Sequence, residues 1–262
     1  MNDPKVSIIL VNYNHKLLFE QALKSVVSQT YNNKEIIVVD DGSEKDIANF
    51  VIERTKEFGV KCVVLDKNYG LSHARNEGII ASDGEWILLV DSDDVLPNWS
   101  VKKLIGQIDD NTWMLSGLLL SVPQDFCSEN NLFMILRSSF LSNLLMQNFK
   151  RVLDFIGITT RKPWKTFGNT STLYNRRVFK KFGLYDEDLT WAEDTEFKRR
   201  IMTIGNIKPK RCFIVTYLYR MHPKQMTKAK VKSENVDRLI EEHIKIRAQQ
   251  GIVPENTRIL LK

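Results

Sequence analysis

The sequence predicts an α/β fold, a mostly parallel twisted sheet with helices on both faces. Short runs rich in valine and isoleucine alternate with longer segments whose apolar residues recur every three to four positions. Residues 35–40, Glu-Ile-Ile-Val-Val-Asp, are almost wholly apolar, as expected for a strand covered on both faces. Such alternation is typical of βαβ units, in which helices connect parallel strands.

The first half of the chain is predicted to contain four strands and three helices. Leu18 begins an apolar stripe at i, i+4 and i+8 in the first helix, and Gly59 ends the second. Gly78 weakens the prediction of the third helix, because glycine disfavours helix interiors. In chain order the segments are strand 5–11, helix 17–29, strand 35–40, helix 46–58, strand 61–65, helix 71–81 and strand 86–90.

The second half is less regular. Pro97 is expected at the first position of the next helix, with residues 99–108 following. Residues 121–165, rich in leucine, phenylalanine and methionine, predict two or three helices that pack in the core, form a homodimer interface or rest on a membrane. The remaining segments are strand 114–120, strand 169–177, helix 178–182, helix 191–204, strand 212–219 and helix 233–249.

The composition is that of an ordinary globular protein, with 262 residues, 43% hydrophobic and 27% charged. Lysine and arginine are spread along the chain and the net charge is only +6, so no nucleic acid is expected as a partner. No apolar run approaches the roughly 18–20 residues needed to cross a bilayer. With no signal peptide pattern at the N-terminus and no disulfide-like cysteine spacing, a cytoplasmic location is expected.

Polar clusters follow four of the predicted strands. They are Tyr13, residues 40–42, the loop around Asn68 and residues 91–94. In open parallel sheets, ligands bind outside the carboxyl ends of the strands. A binding site is therefore expected at this edge of the sheet.

The segment Asp91-Ser92-Asp93-Asp94 places three carboxylates within four residues. Oxygen ligands of this kind favour Mg²⁺ or Mn²⁺, although acidic residues also suit a helix N-terminus. The turn at residues 12–15 lacks the glycines of a dinucleotide site or a P-loop. A nucleotide diphosphate bound here would need a metal and basic side chains to balance its charge.

Several short motifs follow one another along residues 6–227, in an order and with spacings that match a known family. They are residues 6–14, 25–31, 35–43, 68–78, 91–94, 183–187, 193–194 and 219–222. In these motifs the chain resembles the family 2 inverting glycosyltransferases, which have the GT-A fold. The resemblance implies a single GT-A domain, with a nucleotide-sugar-binding half at 1–95, an acceptor-binding and catalytic half at 96–227 and a C-terminal helical extension at 228–262.

The resemblance implies how the donor is held. Val11 and Tyr13 would line the pocket for the base, Asp40 would accept a hydrogen bond from the base, and Arg75 would bind the diphosphate. Three simpler interpretations stay open: Tyr13 covers the end of the sheet, Asp40 caps the turn that follows it, and Arg75 forms a surface salt bridge.

The resemblance also implies the metal ligands. Asp94 would bind Mn²⁺ or Mg²⁺ directly, Asp93 would lie near the ribose and the metal, and Asp91 would lie farther from the ion. His222 matches a histidine that joins the metal or the diphosphate in some relatives.

For the acceptor side, Asp194 resembles the catalytic base, and Glu193 is its neighbour. Because adjacent carboxylates raise one another's pKa, Asp194 is expected to work as a base near neutral pH. Trp191 would flank the acceptor sugar. Without the resemblance, Glu193 and Asp194 would simply be the acidic first turn of a helix, balanced by basic residues such as Lys198.

The implied function is transfer of a hexose or N-acetylhexosamine from a nucleotide sugar, first of all a UDP-sugar, to a glycan or lipid-linked glycan acceptor. The setting would be synthesis of a surface polysaccharide or O-antigen, with association at the inner face of the cytoplasmic membrane. The alternative is a non-catalytic module of the same fold that binds a nucleotide sugar or a glycan. A sugar-1-phosphate nucleotidyltransferase is not expected, because the chain lacks its glycine-rich N-terminal loop.

Overall fold

The computed structural model describes residues 3–124, 171–189, 192–223 and 233–249. The strands are β1 (Val6–Asn12), β2 (Lys34–Asp40), β3 (Lys61–Val64), β4 (Trp86–Asp91), β5 (Met114–Pro123), β6 (Thr172–Asn175) and β7 (Lys210–Met221). The helices are α1 (Leu17–Val27), α2 (Lys45–Glu57), α3 (Leu71–Ala81), α4 (Ser100–Ile105), α5 (Arg177–Phe182), α6 (Glu193–Ile204) and α7 (Ser233–Gln249).

These strands form one seven-stranded sheet in the order β3-β2-β1-β4-β6-β5-β7. The pairs β1–β2, β1–β4, β2–β3 and β5–β7 are parallel. Strand β6 runs antiparallel to both of its neighbours, β4 and β5. The predicted mostly parallel sheet is therefore confirmed, with an antiparallel strand inserted in its second half.

Apolar cores lie on both faces of the sheet. Alternate residues of β1 point to opposite faces, so Ile8 and Leu10 join the core beneath α1, α2 and α4. Ile9 and Val11 join the core beneath α3, α5 and α6. Helices on both faces explain why the central strands are apolar almost throughout.

Gly78 allows α3 to lie close against the sheet. A Cβ atom at this position would lie 2.3 Å from Cγ2 of Ile9 on β1. The glycine that weakened the helix prediction is thus the residue that lets helix and strand approach each other.

Among the predicted boundaries that the structure moves, two depend on pairing with β7. Pro97 does not open α4, which begins at Ser100, because Val95 and Leu218 of β7 exchange backbone hydrogen bonds of 3.1 and 2.9 Å and hold this segment out of the helix. Residues 121–123 were predicted as helical but extend β5, which pairs with β7 as far as Pro123. The rest of that predicted helical region, apart from Gln124, lies outside the described residues.

Helix α7 packs against α6. A small ionic cluster also joins α7 to Asp186, in the segment before α6. The Oδ2 atom of Asp186 accepts hydrogen bonds of 2.9 Å from Nδ1 of His243 and Nε of Arg247, and Ile240 is buried beside them. Burial acts to raise the pKa of Asp186, but the bonds from Arg247 and His243 outweigh it and lower the pKa to about 2. Among the described helices, none is both long and apolar enough to span a bilayer.

Candidate active site

The strand register brings the predicted polar clusters together at one edge of the sheet. Asn12 at the end of β1 lies beside Asp40 at the end of β2, and Val11 lies beside Asp91 at the end of β4. The bridge between Val95 and β7 brings the end of β7 to the same place. As expected for a parallel sheet, the crevice lies at the carboxyl ends of the strands.

The side of the crevice at β1 and β2 holds the residues predicted for the base. Val11 is buried, and Tyr13 stands exposed over 45% of its surface. Asp40 is fully buried: its Oδ1 accepts a 3.0 Å hydrogen bond from Asn12, and its Oδ2 accepts one of 3.0 Å from the backbone N–H of Ser43. Asp40 thus caps the turn, as the simpler interpretation expected, and its contact with a base stays a prediction.

The turn after β2 anchors helix α3. Gly42 has φ of +64°, and a Cβ atom there would lie 2.1 Å from the carbonyl carbon of Lys67. Asp41 accepts hydrogen bonds from the backbone N–H groups of Tyr69 and Gly70, at 2.9 and 3.0 Å. Burial raises the pKa of Asp41, which these two bonds partly oppose. This role of Asp41 was not predicted, although Asp-Gly is a turn signal.

The three carboxylates of the acidic segment meet at the end of β4. Asp91, Asp93 and Asp94 each offer an oxygen, and these oxygens lie within 4.8 Å of one another. Asp94 is fully buried, and its Oδ2 has no hydrogen-bond partner among the described residues. Burial, together with the charges of Asp93 and Asp91, raises the pKa of Asp94 well above its usual value, although the backbone N–H of Arg220 and the hydroxyl of Tyr217 act to lower it. A buried carboxylate oxygen without a partner, beside two more carboxylates, fits a divalent cation with oxygen ligands.

His222 lies beside this acidic cluster. Its Nε2 is 2.9 Å from Oδ2 of Asp93, and its ring meets the ring of His15 edge-on at 5.9 Å. His15 in turn contacts the hydroxyl of Ser92 through Nδ1 at 2.9 Å. His222 and Asp93, both predicted to lie at the metal, are therefore in contact. Direct binding of the metal by His222 stays a prediction.

Arg220 supports the acidic segment from β7. Its Nε donates to the carbonyl of Asp93 at 2.5 Å, its Nη2 to the carbonyl of Leu18 at 3.0 Å, and another nitrogen to the side chain of Gln21. Its backbone N–H donates to Oδ1 of Asp94 at 2.9 Å. This role of Arg220 was not predicted, although Arg220 lies in the motif at residues 219–222.

Arg75 on α3 is buried, with 3% of its side chain exposed. Its Nη2 lies 2.9 Å from Oδ1 of Asp91, and its Nη1 lies 2.8 Å from Oε1 of Glu193. Burial alone would lower the pKa of Arg75, but the two carboxylates raise it above its usual value. In this structure the guanidinium faces carboxylates on both sides. The surface salt bridge considered as an alternative is thus a buried double ion pair.

Glu193 and Asp194 form the first turn of α6, as the simpler interpretation expected. Asp194 keeps 32% of its side chain exposed and accepts a 3.1 Å hydrogen bond from Lys198. Burial acts to raise the pKa of Asp194, but Lys198 and Arg75 outweigh it and the pKa is lowered, contrary to the expectation of mutual raising. Burial raises the pKa of Glu193. Trp191 lies outside the described residues.

The model of the family described as Glycosyl transferase family 2 matches residues 7–183, more than half of the chain. The chain belongs to this family. The match runs from β1 through the acidic cluster to the end of α5, and so covers the ends of β1, β2 and β4 that form part of the crevice.

Two curated relatives are similar over most of the chain. The uncharacterized glycosyltransferase EpsJ of Bacillus subtilis is 28% identical over 95% of this chain, which spans 69% of EpsJ. The poly-beta-1,6-N-acetyl-D-glucosamine synthase of Staphylococcus epidermidis is 27% identical over 70% of this chain, and the match spans 42% of the synthase. Another relative, an uncharacterized glycosyltransferase of Haemophilus influenzae, is 37% identical, but the match spans only 43% of that protein.

Two solved structures share the fold. S. aureus TarS 1–349 in complex with UDP-GlcNAc has a TM-score of 0.67 at 18% identity, covering 97% of this chain and 69% of TarS 1–349. The mannosyltransferase PcManGT of Pyrobaculum calidifontis, in complex with GDP-Man and Mn²⁺, has a TM-score of 0.63 at 18% identity, covering 98% of this chain and 68% of PcManGT. At this identity they establish the GT-A fold and not the substrate.

Proposed function

We propose that this chain is a metal-dependent inverting glycosyltransferase that moves a hexose or N-acetylhexosamine from a nucleotide sugar to a glycan or lipid-linked glycan. The observation that carries the proposal is the acidic cluster at the end of β4, in which an oxygen of the buried Asp94 has no hydrogen-bond partner among the described residues. The base pocket residues lie on one side of this cluster. The carboxylates of α6 lie on the other, joined to it through Arg75.

UDP-N-acetylglucosamine is the first donor to test. A structure of the same fold was solved with UDP-GlcNAc, and a relative is named as a poly-N-acetylglucosamine synthase. GDP-mannose is the second donor, since PcManGT was solved with it. The name of the synthase supports surface polysaccharide synthesis as the setting.

Asp94 and Asp93 would hold Mn²⁺ or Mg²⁺, with His222 orienting Asp93 through its 2.9 Å contact. A divalent ion held there supplies positive charge that stabilises the departing diphosphate. On the donor side, Tyr13 would pack its exposed ring on the base, next to Val11 and Asp40.

On the acceptor side, Asp194 would act as the general base. An acceptor hydroxyl oxygen bonds to the anomeric carbon while the bond from that carbon to the phosphate oxygen breaks, which inverts the configuration. The hydroxyl proton passes to a carboxylate oxygen of Asp194, and the nucleoside diphosphate leaves with the bonding electrons. The lowered pKa keeps Asp194 ionised at neutral pH, so that it is free to accept the proton.

The test is a thermal-shift screen of UDP-, GDP- and dTDP-sugars, each with Mn²⁺ or with chelator. Binding to the native state raises the melting temperature, so one nucleotide class should give a shift that chelator removes. Asp194→Asn should keep that shift and lose transfer by about 10²- to 10⁴-fold, the usual contribution of a general base. No shift with any donor would refute the proposal, and a donor shift without transfer to any glycan would favour the non-catalytic binding module.

A further inference from the structure

Helix α3 lies between the two groups of carboxylates in the site. Arg75 contributes one terminal nitrogen to each group, at 2.9 Å from Asp91 and 2.8 Å from Glu193. The side chains of Asp91 and Glu193 are 26% and 12% exposed, so the bridge is shielded from solvent. A single side chain therefore connects the end of β4 with the start of α6.

The same helix holds the segment that leads to α6. Asn76 donates 3.0 and 2.7 Å hydrogen bonds to the carbonyl of Tyr185 and to Oε1 of Glu187, and accepts one of 2.9 Å from the N–H of Tyr185. The hydroxyl of Ser72 donates to the carbonyl of Leu189 at 3.3 Å. Contacts from three positions of α3 thus hold residues 185–189 and the first turn of α6.

The chemistry of the guanidinium suits such a bridge. Its nitrogens form a rigid planar fork, so two carboxylates bound to it are held at a set separation, whereas a lysine ammonium is a point charge on a flexible stem. Because both terminal nitrogens already contact carboxylates in a buried position, Arg75 is poorly placed to contact a diphosphate in the open crevice.

We propose that Arg75 is a positioning residue that sets the distance between the acidic cluster at the end of β4 and the carboxylates at the start of α6. This inference rests on the proposed function, in which the first group serves the leaving diphosphate and the second the acceptor hydroxyl. The reaction requires both groups of carboxylates at the correct separation, because displacing a reacting group by about 1 Å lowers the rate on the order of 10²-fold.

The experiment compares Arg75→Lys with the wild type and with Arg54→Lys. Arg54 is a matched control, since it also bridges two carboxylates, Glu20 and Glu57, but on α2, away from the site. Affinity for UDP in Mn²⁺ is measured by calorimetry, and kcat and KM by release of UDP from UDP-GlcNAc, with water accepting the sugar when no glycan is present. Hydrogen exchange of the backbone amides reports how firmly the start of α6 is held.

For Arg75→Lys, kcat should fall at least about tenfold while the Kd of UDP and the KM of the donor stay within about threefold of wild type. Exchange at the start of α6 should become at least about tenfold faster, because that turn loses its anchor. Arg54→Lys should change none of these. A Kd for UDP more than tenfold weaker would overturn the inference in favour of direct contact with the donor, and wild-type kcat or exchange would overturn it outright.

Failure of the proposed function, or failure of Arg75→Lys to fold, can each be told apart from failure of this inference. If the wild type neither binds UDP nor releases it from UDP-GlcNAc, the proposed function fails for this donor, and hydrogen exchange still decides whether Arg75 holds α6. If Arg75→Lys does not fold, Glu193→Gln breaks the same ion pair from its other end. That variant should show the same faster exchange, and an unchanged exchange pattern would overturn the inference.

Discussion

Replacing Asp94 with asparagine should stabilise the metal-free protein. Oδ2 of Asp94 is buried without a hydrogen-bond partner in the described part of the chain, and oxygens of Asp91 and Asp93 lie within 4.8 Å of its carboxylate. A buried polar atom without a partner costs about 1–3 kcal/mol, and the asparagine amide brings two donors and removes one charge. Asp94→Asn should gain about that amount. In a chain of 262 residues this raises the melting temperature by about 2–10 °C.

The same change should abolish the response to manganese. Mn²⁺ at about 100 times its Kd should stabilise the wild type by about 2.7 kcal/mol and Asp94→Asn by almost nothing, since the direct ligand is lost. The assay is thermal unfolding of both proteins in chelator and in Mn²⁺, with the exposed Asp110→Asn as control. Asp110→Asn should leave both melting temperatures within about 1 °C, because surface substitutions cost little.

The pH dependence of the metal-free protein follows from the raised pKa of Asp94. The folded chain holds a proton on Asp94 at pH values where the unfolded chain has lost it, so this group's contribution to stability decreases as pH rises above about 4. The excess stability of Asp94→Asn in chelator should therefore grow between pH 4 and pH 8. A variant less stable than wild type in chelator, or one that keeps the Mn²⁺ shift, would refute the reasoning.

Three further changes test the fold by thermal or urea unfolding. Gly42→Ala should cost more than 2 kcal/mol, because it adds a backbone clash to the 1–2 kcal/mol penalty of a positive φ. Gly59 has the same φ of +64°, but no atom lies near the position of its added Cβ, so Gly59→Ala should lose only the stability that the positive φ costs. Equal losses of stability in the two variants would show that the clash at Gly42 does not contribute. Glu196→Gln breaks the fully buried ion pair with Arg200 and should lower the free energy of unfolding by about 3 kcal/mol. Glu20→Gln, at a more exposed ion pair, should lower it by about 0.5 kcal/mol, and comparable losses would show that burial of the pair does not matter. Asp186→Asn should cost about 2 kcal/mol at pH 7, because the pKa of this aspartate is about 2 in the folded chain and 3.8 ordinarily. Its difference from wild type should shrink to roughly half at pH 3, and a difference independent of pH would refute the ion-pair account.

The locations of the helices and strands were predictable because they depend on local patterns. Helices 71–81 and 233–249 were predicted with the bounds the structure has, and so was the strand end at residue 40, while β4 ends at Asp91, one residue beyond the predicted strand 86–90. The α4 boundary was not predictable from Pro97, because the residues before α4 pair with a strand more than 100 positions away. Local pattern carries no information about such a partner.

The partners of the site residues were hidden for the same reason. Arg75 pairs with residues 16 and 118 positions away, and the hydrogen bond from Arg220 to Leu18 spans 202 positions. The pKa of Asp194 was predicted to be raised because Glu193 is its neighbour in sequence, whereas the charges of Lys198 and Arg75 outweigh burial and lower it. The ion pair between Asp194 and Lys198 could be predicted from the sequence, because residues four apart in a helix lie on the same face.

By itself, the sequence determined the alternation of strands and helices, the parallel sheet and the edge at which its polar clusters meet. These follow from the hydrophobic periodicity of each segment and from the alternation of strands and helices, both of which can be read locally along the chain. Only the tertiary structure decided that Arg75 faces two carboxylates and that an oxygen of Asp94 is buried without a partner. Burial and pairing depend on residues brought together from distant parts of the chain, and they determine the charge and the geometry of the site.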